Sequence, residues 1–200
     1  MNINSILDFI TLTNKFRAVK RVVFIKDEGR LENDSEHSYQ LAMLSWYLLS
    51  EKKTGIDKDL VIKYALIHDF VEVYAGDTWF YRSKAEDESK KKLEAESAIQ
   101  LKSDLPEFID FHQLIEDYEN QINPESRFVY ALDKIIPIMN IYLDGGDNWK
   151  EHKVTLDNLI KNKTPKIAVS PEIEPYYNEL VAILKDNKDM FHVEHEQDIS

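Results

Sequence analysis

His68 and Asp69 are adjacent, and Glu72 follows four residues after His68. Residues four apart share one face of a helix, and Asp69 sits about 100° further round, still within reach of a shared centre. Asp77 comes directly after Gly76, where a chain leaving a helix can fold back toward that face. An imidazole and carboxylate oxygens beside a further acid or base are what a divalent cation site needs. The same residues also read as a core histidine beside a solvated aspartate, so the pair needs company to mean chemistry. Glu32-Asn33-Asp34-Ser35-Glu36-His37-Ser38 supplies a second histidine at the mouth of an apolar helix. Tyr130-Ala131-Leu132-Asp133-Lys134-Ile135 places a carboxylate inside another, where it is costly unless paired, hydrogen-bonded or bound to metal. Pro137 cannot donate an amide to the Asp133 carbonyl and predicts a kink there, in a helix that either opens at a site or is simply bent.

The elements that must position these groups are helical. Ile3, Ile6, Leu7 and Ile10 recur at the spacing of an amphipathic first helix and are expected to face inward. A second helix begins near Asp34 or Ser35. Asp57 reads as the N-cap of a third, which runs through Leu60, Tyr64, Ile67 and Val71 until Gly76 ends it. Residues 83–100 alternate acid and base as a solvated helix, and the run Lys90-Lys91-Lys92 is balanced there by neighbouring glutamates. Asp104, Asn123 and Ser170, each shortly before a proline, mark further starts. The reading is an all-α helical domain over residues 1–190 with a polar tail over 191–200, seven or eight helices and no convincing strand; residues 22–25 form the only β-like run.

Composition narrows the function. The 200 residues include no cysteine, which removes disulfides, thiolate metal sites and a cysteine nucleophile. The five glycines fit neither a phosphate loop nor a dinucleotide fingerprint. A net charge of −12 opposes binding to a nucleic-acid polymer. Residues 38–50, the longest uncharged apolar-rich run, are too short to span a bilayer, and no leader is visible, so a cytoplasmic protein away from the membrane is expected. Against the acidic background, Lys15, Arg17, Lys20, Arg21 and Lys26 occur with no acid between positions 15 and 26. This segment is either a solvated basic face or a place for a small anion, since guanidinium matches phosphate bidentately.

The pattern His37 … His68-Asp69 … Asp133 resembles the HD-domain metal-dependent phosphohydrolases. The fuller match of Ser35-Glu36-His37, His68-Asp69-x-x-Glu72 and Gly76-Asp77 is similar to their YfbR-like 5'-deoxynucleotidase branch, over residues 20–133. The resemblance implies an HD-type fold and one divalent metal ion held by His37, His68, Asp69 and Asp133. Donors of nitrogen and oxygen suit Mn, Co, Fe or Zn better than Mg. It further implies that Glu72 and Asp77 are the catalytic carboxylates, and that Arg21, with Arg17 as the alternative, binds the substrate phosphate. The expected activity is hydrolysis of (deoxy)nucleoside 5'-monophosphates, by a homodimer. Deoxynucleotide-selective relatives carry tryptophan after that arginine; here Val22 follows, and Trp79 is the aromatic alternative. Two other readings stay open: a phosphatase or phosphodiesterase for another nucleotide, and a helical module that binds metal or nucleotide without turnover. The presence of Glu72 and Asp77 favours an enzyme.

Overall fold

The computed structural model describes residues 2–25, 28–51, 55–76 and 84–193, with residues 84–88 and 91 described by backbone alone. Among the described residues, the elements in chain order are α1 (Ile3–Ala18), β1 (Lys20–Ile25), β2 (Arg30–Asn33), α2 (Asp34–Glu51), α3 (Lys58–Ile67), α4 (Glu72–Ala75), α5 (Lys84–Asp104), α6 (Ile109–Glu119), α7 (Pro124–Leu143), α8 (Asp147–Glu151), α9 (Leu156–Ile167) and α10 (Glu174–Asp186). The class is all-α. Eight of these helices have ten residues or more, and α4 and α8 are single turns. No described helix is long and apolar enough to cross a membrane.

The small sheet is a departure. Residues 22–25 do form a strand, within β1, and it pairs with β2 in a two-stranded sheet. β2 is Arg-Leu-Glu-Asn, without β-branched residues or an apolar alternation, so its pairing leaves no sequence signal.

The chain packs as two compact units, Met1–Val22 with Leu31–Ser126, and Val23–Arg30 with Arg127–Ser200. The first is built around Leu12 and Phe16 of α1, Phe70 and Val71 before α4, Leu101 and Leu105 at the end of α5, and Phe111 and Ile115 of α6. Phe16 stacks on Phe70 with ring centroids 4.7 Å apart, and Phe111 meets Phe70 edge-on at 5.2 Å. The expected inward face of α1 is therefore corrected: Ile3, Ile6, Leu7 and Ile10 are 44–65% exposed. At 100° per residue they lie on the side opposite Leu12 and Phe16, and burial followed the larger aromatic cluster.

Asp57 caps α3, accepting from Asp59 N at 3.0 Å and Leu60 N at 3.3 Å, an arrangement worth about 1 kcal/mol. α3 stops at Ile67 rather than continuing through Val71, and the turn over 68–71 leads into α4. Gly76 ends α4 at φ +73°, its N–H donating to Glu72 O, a backbone shape that a β-carbon would strain. Asn123 starts α7 as expected, accepting from Ser126 N at 2.8 Å. The other two starts are displaced. Asp104 is the last residue of α5, with α6 opening only after Phe108, and α10 begins at Glu174 with Pro175, not Pro171, in its first turn.

In the second unit α7 continues past Pro137 and buries Leu132, Ile135 and Ile136. α9 packs on α10. Trp149 stacks on Phe191 at 4.3 Å, and the Phe191 side chain is buried.

Phe16→Ala is expected to destabilise the fold by about 3–5 kcal/mol, because it opens a cavity at the centre of the aromatic cluster. Urea unfolding checks this, and a midpoint close to wild type would place the weight of the first unit elsewhere.

Candidate metal centre

Local hydrogen bonds fix each side chain of the site. Asn33 Oδ1 accepts from Ser35 N at 3.0 Å and Glu36 N at 3.1 Å, while Glu36 Oε2 accepts from Asn33 N at 3.0 Å. This reciprocal cap ties down the free amides that open α2, and His37 lies one residue beyond it, fully buried. His68 closes α3. Its N–H donates to Tyr64 O, and its Nδ1 lies 2.9 Å from Ala65 O. A carbonyl only accepts, so Nδ1 carries a proton and Nε2 is the ring nitrogen that could bind a metal.

The His68 Nε2 atom is 2.9 Å from Asp69 Oδ2. A contact this short needs a shared proton or another positive charge beside it, and neighbouring ligands on one cation with bonds of about 2.1 Å stand about 3 Å apart, so the spacing is compatible with a metal. The His37 and His68 rings are 5.3 Å apart, and His37, His68 and Asp69 each offer a ligand atom within 4.8 Å of the others. The donors present therefore fit a transition-metal dication.

Arg21, on β1, reaches this cluster. Its guanidinium is 2.6 Å from Asp69 Oδ2, 3.2 Å from Asp34 Oδ1 and 3.4 Å from Glu32 Oε2. Asp34 and Glu32 are buried, and Glu32 Oε2 also stands 3.7 Å from His37 Nδ1. Glu72 opens α4, its amide donating to Asp69 O at 2.8 Å, and its carboxylate is buried with Lys90 Nζ 2.7 Å from Oε1. Burial pushes the Lys90 ammonium down, but the carboxylates of Glu72, Glu94 and Asp69 outweigh it and leave its pKa above the ordinary lysine value. Asp133 belongs to the second unit, on α7, 3% exposed and 2.5 Å from Lys134 Nζ. Asp77, with Trp79, lies outside the described residues.

Beside Glu72 an open cavity of about 480 Å³ is lined by Lys15, Lys20, Val73, Tyr74 and Gly76 among others. Lys15 stands over the Tyr74 ring at 5.3 Å. Burial, then the hydrogen bond to Asp104, pushes the Tyr74 phenol up to about 12. The sequence singled out the basic segment but missed Glu32, Asp34 and Lys90. The first two lie within the quoted motif around His37, and only their position beside Arg21 marks them. Lys90 looked like part of a solvated run.

The chain belongs to the HD-domain family, whose pattern matches residues 13–174. Its relatives include 5'-deoxynucleotidase HDDC2 from Homo sapiens, 29% identical over 133 residues, a match covering 65% of this chain and 63% of the human one. The protein of that name from Dictyostelium discoideum is 28% identical, over 78% of this chain and 83% of its own length. A crystal structure described as a predicted metal-dependent phosphohydrolase from Magnetospirillum magnetotacticum superposes with a TM-score of 0.82 at 26% identity, over 96% of both chains.

Two measurements test this electrostatic and local account. Asn33→Ala is expected to cost about 0.5–2 kcal/mol by removing the cap of α2; an unchanged urea midpoint would show that the cap is not what starts the helix. Tyr74 is expected to ionise near pH 12. Because its folded value is raised, its favourable contact is complete below pH about 10 and lost as pH climbs through the higher value. An ultraviolet titration of wild type against Tyr74→Phe reads this directly, and a wild-type phenolate step near pH 10 that Tyr74→Phe removes would contradict it.

Proposed function

We propose that this protein is a metal-dependent phosphohydrolase that removes the 5'-phosphate from nucleoside or deoxynucleoside monophosphates. The observation that carries the reading is the convergence of His37, His68 and Asp69, each with a ligand atom within 4.8 Å of the others and His68 Nε2 2.9 Å from Asp69 Oδ2, while Glu72 lines a cavity together with two lysines. The names of the relatives support the activity and substrate class.

His37, His68 and Asp69 would hold the cation, with Asp133 as fourth ligand on the strength of the family pattern. Two neutral imidazoles and two carboxylates balance a +2 charge, so that an anionic phosphate is not repelled. Mn, Co, Fe or Zn fits two nitrogen donors better than Mg. When bound, such an ion supplies Lewis-acid polarisation of the phosphoryl group.

The chain's own residues supply the rest. Lys15, Lys20 and Arg21 oppose the charge of the phosphate, Arg21 with a fork that matches two of its oxygens. Glu72 takes a proton from the attacking water as the new P–O bond forms, in line with the P–O5' bond that breaks. The 5'-oxygen leaves with the proton that Glu72 took from water, giving nucleoside and orthophosphate and restoring the Glu72 carboxylate, and Asp77 is proposed to assist by orienting water or substrate. A cytoplasmic setting and a homodimer complete the reading; the exposed Ile3, Ile6, Leu7 and Ile10 stripe on α1 offers apolar surface to a second copy. Residues 1–190 are proposed as the folded domain, with 191–200 as its tail.

Orthophosphate release from a panel of nucleoside mono-, di- and triphosphates and cyclic nucleotides tests the substrate class, the monophosphates being expected to turn over fastest. Asp69→Ala is expected to lose both bound metal, by elemental analysis, and turnover; retained metal and full activity would reject the assignment. Glu72→Gln is expected to keep the metal while kcat falls about 10²–10⁴-fold.

A further inference from the structure

Lys90 has no task in the hydrolysis reading, yet its surroundings are unlike those of an ordinary surface lysine. Its side chain is 17% exposed, and Nζ lies 2.7 Å from Glu72 Oε1 and 3.2 Å from Glu94 Oε1. Two residues on, Lys92 pairs with Glu96 at 3.8 Å with side chains 79% and 59% exposed. That neighbouring pair is the solvated, weakly coupled kind. Lys90 instead directs its charge inward to a carboxylate 5% exposed. Ordering a long lysine stem costs rotamer entropy, and the arrangement places that ordered cation on the group read as the base.

The backbone around Glu72 needs such support. α4 is a single turn, preceded by the irregular segment 68–71, and a helix this short has little stability of its own. α5 braces it at two points. Ser97 Oγ donates to Val71 O, and Lys90, seven residues earlier and so on the same face of α5, holds the Glu72 side chain. One contact fixes the main chain, the other the carboxylate.

We propose that Lys90 is a positioning residue for the reaction: through its bond to Oε1 it holds the Glu72 carboxylate in one orientation toward the substrate's water. This rests on the hydrolase reading above. The ammonium does not touch the reacting atoms; it acts through Glu72. A phosphate-binding lysine would instead show itself in substrate affinity, and a purely structural ion pair in stability alone.

The experiment compares wild type, Lys90→Met, Lys90→Arg, Glu72→Gln and the Lys90→Met/Glu72→Gln double variant with a deoxynucleoside monophosphate, alongside metal content and thermal midpoint. Lys90→Met is expected to lower kcat about 10–100-fold, the range for an outer-shell partner of a site, with KM and metal content near wild type. Lys90→Arg is expected to restore most of the rate. In the Glu72→Gln background Lys90→Met is expected to add nothing, because the group it orients is already gone. An unchanged kcat, a change confined to KM, or an additive loss in the double variant would each overturn the proposal while leaving the hydrolase intact. A wild type that releases no phosphate from any substrate would overturn the hydrolase reading, and this proposal with it. Should Lys90→Met fail to fold, Lys90→Gln carries the same comparison.

Discussion

A histidine nitrogen bearing a lone pair and a carboxylate oxygen repel when they are brought to 2.9 Å in a buried place. In water that arrangement relaxes. Here it is held, because the His68 ring is anchored through Nδ1 to Ala65 O while Phe70, the next residue but one, is locked in the aromatic cluster with Phe16 and Phe111. The fold brings two like-tempered groups together and leaves the demand for positive charge to be met locally. Arg21 meets it from one side, 2.6 Å from the same Asp69 oxygen, and a dication suits the other. The first unit can be understood as the scaffold for that single juxtaposition.

The charge arithmetic follows from it. With 37 acidic against 25 basic side chains, the molecule as a whole is anionic. Lys15 of α1 and Lys20 of β1 line the cavity with Glu72, while Arg21 of β1 is oriented by the buried acids Glu32 and Asp34. A guanidinium with carboxylates on one side has a fixed direction. Screening in salt weakens the distant interactions of the surface charges more than these close, buried pairs.

Part of the candidate site was legible in residue type and spacing: His68 and Asp69 stood out as an adjacent pair and His37 by its place at the mouth of an apolar helix, and a ligand atom of each lies within 4.8 Å of the others. The helix caps at Asp57 and Asn123 were equally legible, since their chemistry is local. What escaped was whatever depends on partners far along the chain. The stripe of α1 defines a face but not what covers it, and Phe16 and Leu12 took the buried side. β2 carries no strand pattern and forms by pairing alone. Lys90 shares its composition with Lys92 and differs from it only in pointing at Glu72, which no spacing reveals.

The break in the helix after Ile67 is the part of the design that the His68–Glu72 spacing concealed. In an unbroken helix those two residues share a face while Asp69 turns about 100° away from His68. The turn over 68–71 lets Asp69 Oδ2 come back to His68 Nε2, and the Asp69 carbonyl then accepts the Glu72 amide that starts the next turn. The same turn sends Phe70 and Val71 into the core, so the segment is held by burial together with tight turn bonds such as Phe70 N to Ile67 O and Glu72 N to Asp69 O. A short turn pinned by its own buried aromatic residue fixes the His68 and Asp69 side chains, so the core of the first unit and the candidate centre are set by the same stretch of chain.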